Sequence, residues 1–197
     1  YSTGALRASL LATATTLTSL NGRIQSGRRL NAARAVASCD GSTNAPADIV
    51  LHASDVPASA IHGTWTLQSD PSAAGGKKLG TPDSGWASTA SPLPSPSNYF
   101  DVRFTAQAGV PYHVWLRMHA SGESKWNDSV WLQFSDALVN GSPAYAINTS
   151  AGEGVNLENC SNCGVSGWGW QDGAYWVARS NVTFSSAGTH TIRRGTS

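Results

Sequence analysis

The 197 residues carry 13 Lys and Arg against 12 Asp and Glu, with 13% charged residues, 8 tryptophans and 3 cysteines. That length suffices for one sizeable hydrophobic core and is borderline for two. The longest uncharged stretches are filled with Gly, Ser, Thr, Pro and Asn, so no membrane-spanning segment is expected, and the near-neutral balance argues against nucleic acid, whose phosphates demand a basic surface.

The balance hides an asymmetry. Arg7, Arg23, Arg28, Arg29 and Arg34 face Asp40 alone in the first 40 residues, while the remainder is slightly acidic. This first part reads as helical. Thr3 can cap a helix from about Gly4 to Thr15, with Leu6, Leu10 and Ala14 on one side and Arg7 turned away. Asn31 can cap a second short helix, Ala32 to Ala37. Two such helices bury little surface without a partner, so they read as the edge of a larger domain. The chain starts at Tyr1 without a basic start, apolar run and cleavage site. It is therefore expected to be a mature or processed piece of something larger.

The stretches Leu6-Arg7-Ala8-Ser9-Leu10-Leu11-Ala12-Thr13-Ala14, Leu20-Asn21-Gly22-Arg23 and Gly27-Arg28-Arg29-Leu30-Asn31-Ala32-Ala33-Arg34-Ala35-Val36 resemble the C-terminal end of subtilisin-like serine peptidase domains. The resemblance covers residues 1–37 and implies a truncated helical tail over residues 1–38. In that family the catalytic serine, aspartate and histidine lie upstream of this tail, so the chain itself would be no enzyme, although its precursor would be a peptidase. A linker is expected over residues 39–47, with Cys39 at the junction.

Beyond Asp48 the pattern turns to strands. Asp48 to His52 and Thr64 to Leu67 are short apolar runs, and Asp70 to Asn98 reads as long loops. In Tyr99 to Phe104, residues Phe100, Val102 and Phe104 share one face. Tyr112, Val114, Leu116 and Met118 share the core face of the next strand, leaving His113, Trp115, Arg117 and His119 outward. Val130, Leu132 and Phe134 repeat the inward pattern, with Trp131 and Gln133 outward. Further strands are expected at Ala144 to Ile147, Ala174 to Ala178, Val182 to Phe184 and Thr189 to Arg193. Many short strands without intervening helices point to a mainly β fold, an antiparallel β-sandwich or jelly roll over residues 48–197, preceded by the short α-helical segment.

Ile61-His62-Gly63-Thr64-Trp65, Ala73-Ala74-Gly75-Gly76, Tyr99-Phe100-Asp101-Val102-Arg103-Phe104 and Ala108-Gly109-Val110-Pro111-Tyr112 resemble the galactose-binding-like sandwiches, malectin-like and other carbohydrate-binding modules among them. Trp115-Leu116-Arg117, Asn127-Asp128-Ser129-Val130 and Gln133-Phe134 continue the likeness over residues 45–193. Such domains often end in an Asp-Gly turn and a further Ile/Val-rich strand, which this chain lacks before Ser197. The resemblance implies a secreted or cell-surface module that binds polysaccharide or glycan without a required cofactor. The family often carries structural calcium. Asp48, Asp70, Asp101, Glu123, Asp128, Glu153 and Glu158 offer oxygen ligands, but no calcium-loop spacing selects among them.

Three loops are candidates for recognition. Trp126, Asn127 and Asp128 combine a ring for the apolar C–H face of a sugar with groups for its hydroxyls. The same residues suit a packed tryptophan in a hydrogen-bonded turn. Trp168, Trp170, Gln171 and Asp172 form a second cluster, in which two tryptophans one residue apart share a face or plug the end of the sandwich. Trp86 either closes over a ligand or pins its own loop. Cys160 and Cys163 are expected to staple the loop ahead of Trp168 by a disulfide in an oxidising compartment. The outward row of His113, Trp115, Arg117 and His119, with Trp131 and Gln133, offers a flat platform if that face is open. A structural or protein-interaction sandwich, including one that self-associates through strand edges, is the competing reading.

Overall fold

The computed structural model describes residues 10, 14–16, 28–29, 48–85, 89–157, 166–173 and 181–196. The chain divides into two compact units, residues 1–47 and 48–197. In the first, Leu10 is helical, but β1 (Thr15–Thr16) pairs antiparallel with β2 (Arg28–Arg29). Thr15, expected to end the first helix, thus lies in a strand. The rest of that expected helix, except Ala14, and all of the second lie outside the described residues.

The second unit is mainly β and antiparallel, a β-sandwich. Its strands are β3 (Ile61–His62), β4 (Thr66–Ser69), β5 (Lys77–Gly80), β6 (Tyr99–Ala106), β7 (Leu116–Met118), β8 (Ser129–Phe134), β9 (Ala137–Val139), β10 (Ser142–Pro143), β11 (Glu153–Asn156), β12 (Gly169–Gln171), β13 (Thr183–Phe184) and β14 (Gly188–Thr196). One layer is a five-stranded sheet in the order β11-β8-β14-β6-β3. The other is assembled from shorter pieces, β10-β9-β13 and β12-β7. An antiparallel bridge between Tyr112, ahead of β7, and Val182, ahead of β13, ties these pieces together. The β4–β5 hairpin stands apart.

The expected alternation holds where it was clearest. Val130, Leu132 and Phe134 of β8 are buried and join Met118, Val155, Val182 and Phe184 in the main core. Phe104, Tyr112, Val114, Leu116 and Ile192 pack around them. A smaller cluster of Val56, Trp65 and Phe100, with Ile61, Leu79 and Val102 packed against it, shares the inner face of β6. Strands with one face on a core must keep period two, because a one-residue slip would expose every apolar side chain.

Several expectations fail in part: Lys77 to Gly80, within the stretch read as loops, pairs with β4 as β5, and the strand expected from Tyr112 is regular only over Leu116–Met118, with Tyr112 in a single bridge. The strand expected at Ala174 to Ala178 lies outside the described residues. Asp48 to His52 forms no strand, and only Ile49 reaches the core, while Val50 and Leu51 are exposed. Ala144 to Ile147 contributes a single bridge, Ala146 to Phe134, instead of a strand. Gln133, read as outward on a face either open or covered by loops, is 2% exposed. Its Nε2 lies 3.1, 2.8 and 3.0 Å from the carbonyl oxygens of Ala146, Thr149 and Ala151, so a loop covers this part of the outer face. Trp131 is half-buried, donating from Nε1 to Thr89 Oγ1 at 3.2 Å. A buried amide that serves three carbonyls is costly to remove: Gln133→Met is expected to destabilise the domain by about 1–3 kcal/mol. A denaturant midpoint shift with an unchanged slope would show it.

Candidate functional site

Two of the three exposed tryptophans among the described residues stand on the outer face of the β7/β12 pair. Leu116 and Met118 turn to the core, so the residues alternating with them point outward. The register sets Trp170 opposite Arg117, Gly169 opposite Met118 and Gln171 opposite Leu116. Trp170 and Arg117 are therefore neighbours on the outer face, and Trp115 is the diagonal neighbour of Trp170. Trp115 is 52% exposed and Trp170 61% exposed. Two large exposed apolar side chains on one outward face, in diagonal register, set this face apart from a surface with single scattered hydrophobes.

Polar groups hold this face together. His113 presents Nε2 to Asp172 Oδ2 at 2.8 Å and Nδ1 to Asn181 Oδ1 at 3.0 Å, joining the chain ahead of β7 to the ends of two other segments. The Asp172 carboxylate, followed by the Asn181 hydrogen bond, raises the His113 pKa, with Glu153 adding a weaker attraction from further off. Toward the other end, His119 Nε2 lies 2.9 Å from Glu123 Oε1. Both Glu123 oxygens also accept from the Gly167 N–H at 3.0 Å. That backbone donor first, and His119 second, hold the Glu123 carboxyl below its ordinary range. Glu123 thus fastens the loop carrying Trp126 to the start of β12.

Because the folded pKa of His113 is raised above its ordinary 6.5, its contribution to stability is present in full below about pH 6.5 and is lost as pH rises through the raised value. The thermal midpoint of the wild type relative to His113→Gln should accordingly fall across that window. A difference that stays flat with pH would show that the imidazolium does not hold the strands.

Trp126, 79% exposed, projects from this loop with the Lys125 ammonium 4.7 Å from its ring. Its sequence neighbours behave differently. Asn127 donates from Nδ2 to Asp83 Oδ2 at 3.1 Å and to the Ser121 carbonyl at 3.3 Å, tying two loops. Asp83 is held below its ordinary pKa by the Gly85 N–H and then by Asn127. Asp128, expected at the surface, is 1% exposed and belongs to the interior. In the second cluster, Trp168 serves as a fastening. Its Nε1 donates to Ser72 Oγ at 3.0 Å, Arg117 lies 4.9 Å over its ring, and its other neighbour is the His119 ring at 5.5 Å. Ser72 is itself fixed by Asp70, whose pKa falls to about 2 under the Ser72 and Lys78 hydrogen bonds. Gln171 alternates to the inner side, and Asp172 is engaged by His113.

Sequence and structure thus agree on an outward row of His113, Trp115, Arg117 and His119 but part over its neighbours. Trp131 and Gln133 belong to the other sheet, and the row's actual companion is β12. Trp86, Cys160 and Cys163 lie outside the described residues. Of the calcium candidates, Asp70 pairs with Lys78 and Asp101 with Arg193, Glu158 lies outside the described residues, and among those described no three His, Cys, Asp or Glu side chains are grouped to hold a metal. Among the described residues no helix is long and apolar enough to cross a membrane. Comparison with protein-family models, with curated proteins and with solved structures finds no match to the chain.

Proposed function

We propose that this chain is a non-catalytic carbohydrate-binding module whose glycan lies across Trp115 and Trp170, with Trp126 at the margin. The observation that carries the reading is the pair of tryptophans, each more than half exposed, Trp170 in β12 and Trp115 immediately ahead of β7, on one outward face. An indole offers a flat apolar surface to the C–H face of a pyranose and an N–H to its hydroxyls. The face is pre-ordered by the His113–Asp172 and His119–Glu123 pairs, which lowers the entropy lost on binding. The two histidines and two carboxylates at this face engage one another, which suits a rigid platform better than a reaction centre.

In this reading the module is secreted and tethers an associated catalytic domain to a surface. The likeness of residues 1–37 to a subtilisin-like tail makes a peptidase the proposed companion. Weak reversible attachment then raises the local concentration of the tethered enzyme. A glycan array combined with pull-down on insoluble polysaccharides tests the proposal. Retention on at least one neutral or acidic glycan is expected, and no retention across a broad panel would turn the assignment toward a protein-interaction sandwich.

A further inference from the structure

We propose a second, independent ligand site, for an oxyanion, on the inner side of the five-stranded sheet where Arg194 meets Trp65. Arg194 lies in β14 opposite Phe100 of β6 and Leu132 of β8. Both partners are buried core residues, so Arg194 occupies an inward position, two residues on from Ile192, which packs against the main core. A guanidinium is an unexpected choice there.

Its carbon lies 4.6 Å from the Trp65 ring centroid and 5.7 Å from that of Phe100, and the two rings meet edge to face at 5.2 Å. Ring faces attract the cation but accept no in-plane N–H bond. Arg194 Nε and Trp65 Nε1 are both sealed from solvent and have no hydrogen-bond partner. Arg193, on the opposite face of the same strand, provides the contrast: it gives Nε and Nη2 to Asp101 at 2.8 and 2.9 Å and Nη1 to Asn148 at 3.0 Å. One arginine of the pair is saturated, and its neighbour is left without an acceptor.

Buried donors are rarely left unpaired, and an unmet ion is among the standard reasons when they are. Burial draws the Arg194 pKa down to about 10, so the charge persists at neutral pH. Two N–H donors of different side chains beside one buried positive charge call for an acceptor that is itself negative. The planar fork of a guanidinium matches carboxylate, phosphate or sulfate oxygens. Arg194 as a residue is of intermediate exposure, and of its guanidinium only Nε is sealed without a partner, which leaves an anion a way in from the Nη end.

The test is calorimetric titration of the whole chain with inorganic sulfate, inorganic phosphate and acetate at matched ionic strength, in wild type, Arg194→Met and Trp65→Phe. Saturable binding by the wild type is expected, weakened at least ten-fold in Arg194→Met and several-fold in Trp65→Phe, which keeps the ring and loses the N–H. Preference between acetate and the tetrahedral anions then identifies the ligand as a carboxylate or a phosphate-type group. Should Arg194→Met fail to fold, Arg194→Lys replaces it, with the same ten-fold loss expected because the fork is gone. The proposal is overturned if the wild type binds none of the three anions saturably, or if the Arg194 variant binds them as tightly as the wild type.

Discussion

Replacing Phe184 by alanine is expected to lower the unfolding free energy by about 3–5 kcal/mol. Phe184 is 1% exposed and belongs to β13, a strand of only two residues, yet its ring reaches across to the opposite layer. It lies 5.6 Å from Phe104 of β6, 6.4 Å from Phe134 of β8 and 4.1 Å from His190 of β14, with Tyr112 at 6.1 Å. One side chain thus touches three strands of the five-stranded sheet. A domain whose total stability is of the order of 5–15 kcal/mol loses a large fraction of it with this ring. Phe184→Leu, which keeps much of the volume, should cost less than the alanine variant. Denaturant titration of both separates the packing term from simple hydrophobicity. A loss below about 1 kcal/mol for the alanine variant would mean that the two layers are held together elsewhere.

The second large effect concerns binding and leaves folding untouched. Trp115→Ala and Trp170→Ala remove rings that are more than half exposed, and surface truncations of this kind change stability by no more than about 0.5 kcal/mol. As anchors of a glycan each should cost about 1–2 kcal/mol of affinity, on the scale of interface hot spots, with every 1.4 kcal/mol amounting to roughly ten-fold. Trp168→Ala should behave in the opposite way. Its indole is bonded to Ser72 and covered by Arg117, so its loss loosens the loop at residues 70–76 and lowers stability before it lowers binding. Affinity measured on a retained polysaccharide, beside a thermal midpoint for each variant, distinguishes anchor from fastening. Equal behaviour of the three variants would remove the distinction.

Three tryptophans in glycine- and serine-rich loops look alike in sequence, which is why the candidate site was only partly legible. The two lie on one face of the strand, and what separates Trp168 from Trp170 is an acceptor 96 residues away. The alternation was legible, since burial of one face imposes period two on Phe100 to Phe104, on Tyr112 to Met118 and on Val130 to Phe134. Strand pairing was not. Nothing local says that β14 inserts between β8 and β6, or that the outward row of β7 is completed by β12 instead of by Trp131 and Gln133.

Asn127 and Asp128 show the same limit on a smaller scale. Adjacent polar residues in one turn go to opposite fates, Asn127 bridging two loops and Asp128 entering the core. One local signal does specify its own structure. Asn140-Gly141 joins β9 to β10 with φ of 51° and 79°, the double positive φ of a tight hairpin turn that Asn-Gly favours. The apolar run at Ile49 to Leu51 had a strand's composition but gained no pairing partner in the sheets, and hydrophobicity alone does not supply one.

The most direct measurement is the set of tryptophan indole N–H resonances of the folded chain during titration with the glycan that it retains. Recognition through the β7/β12 face requires the Trp115 and Trp170 signals to shift together along one saturation curve, with Trp126 following, while buried Trp65 stays in place. Stationary Trp115 and Trp170 signals, or undiminished binding by the Trp115→Ala/Trp170→Ala double variant, would contradict it.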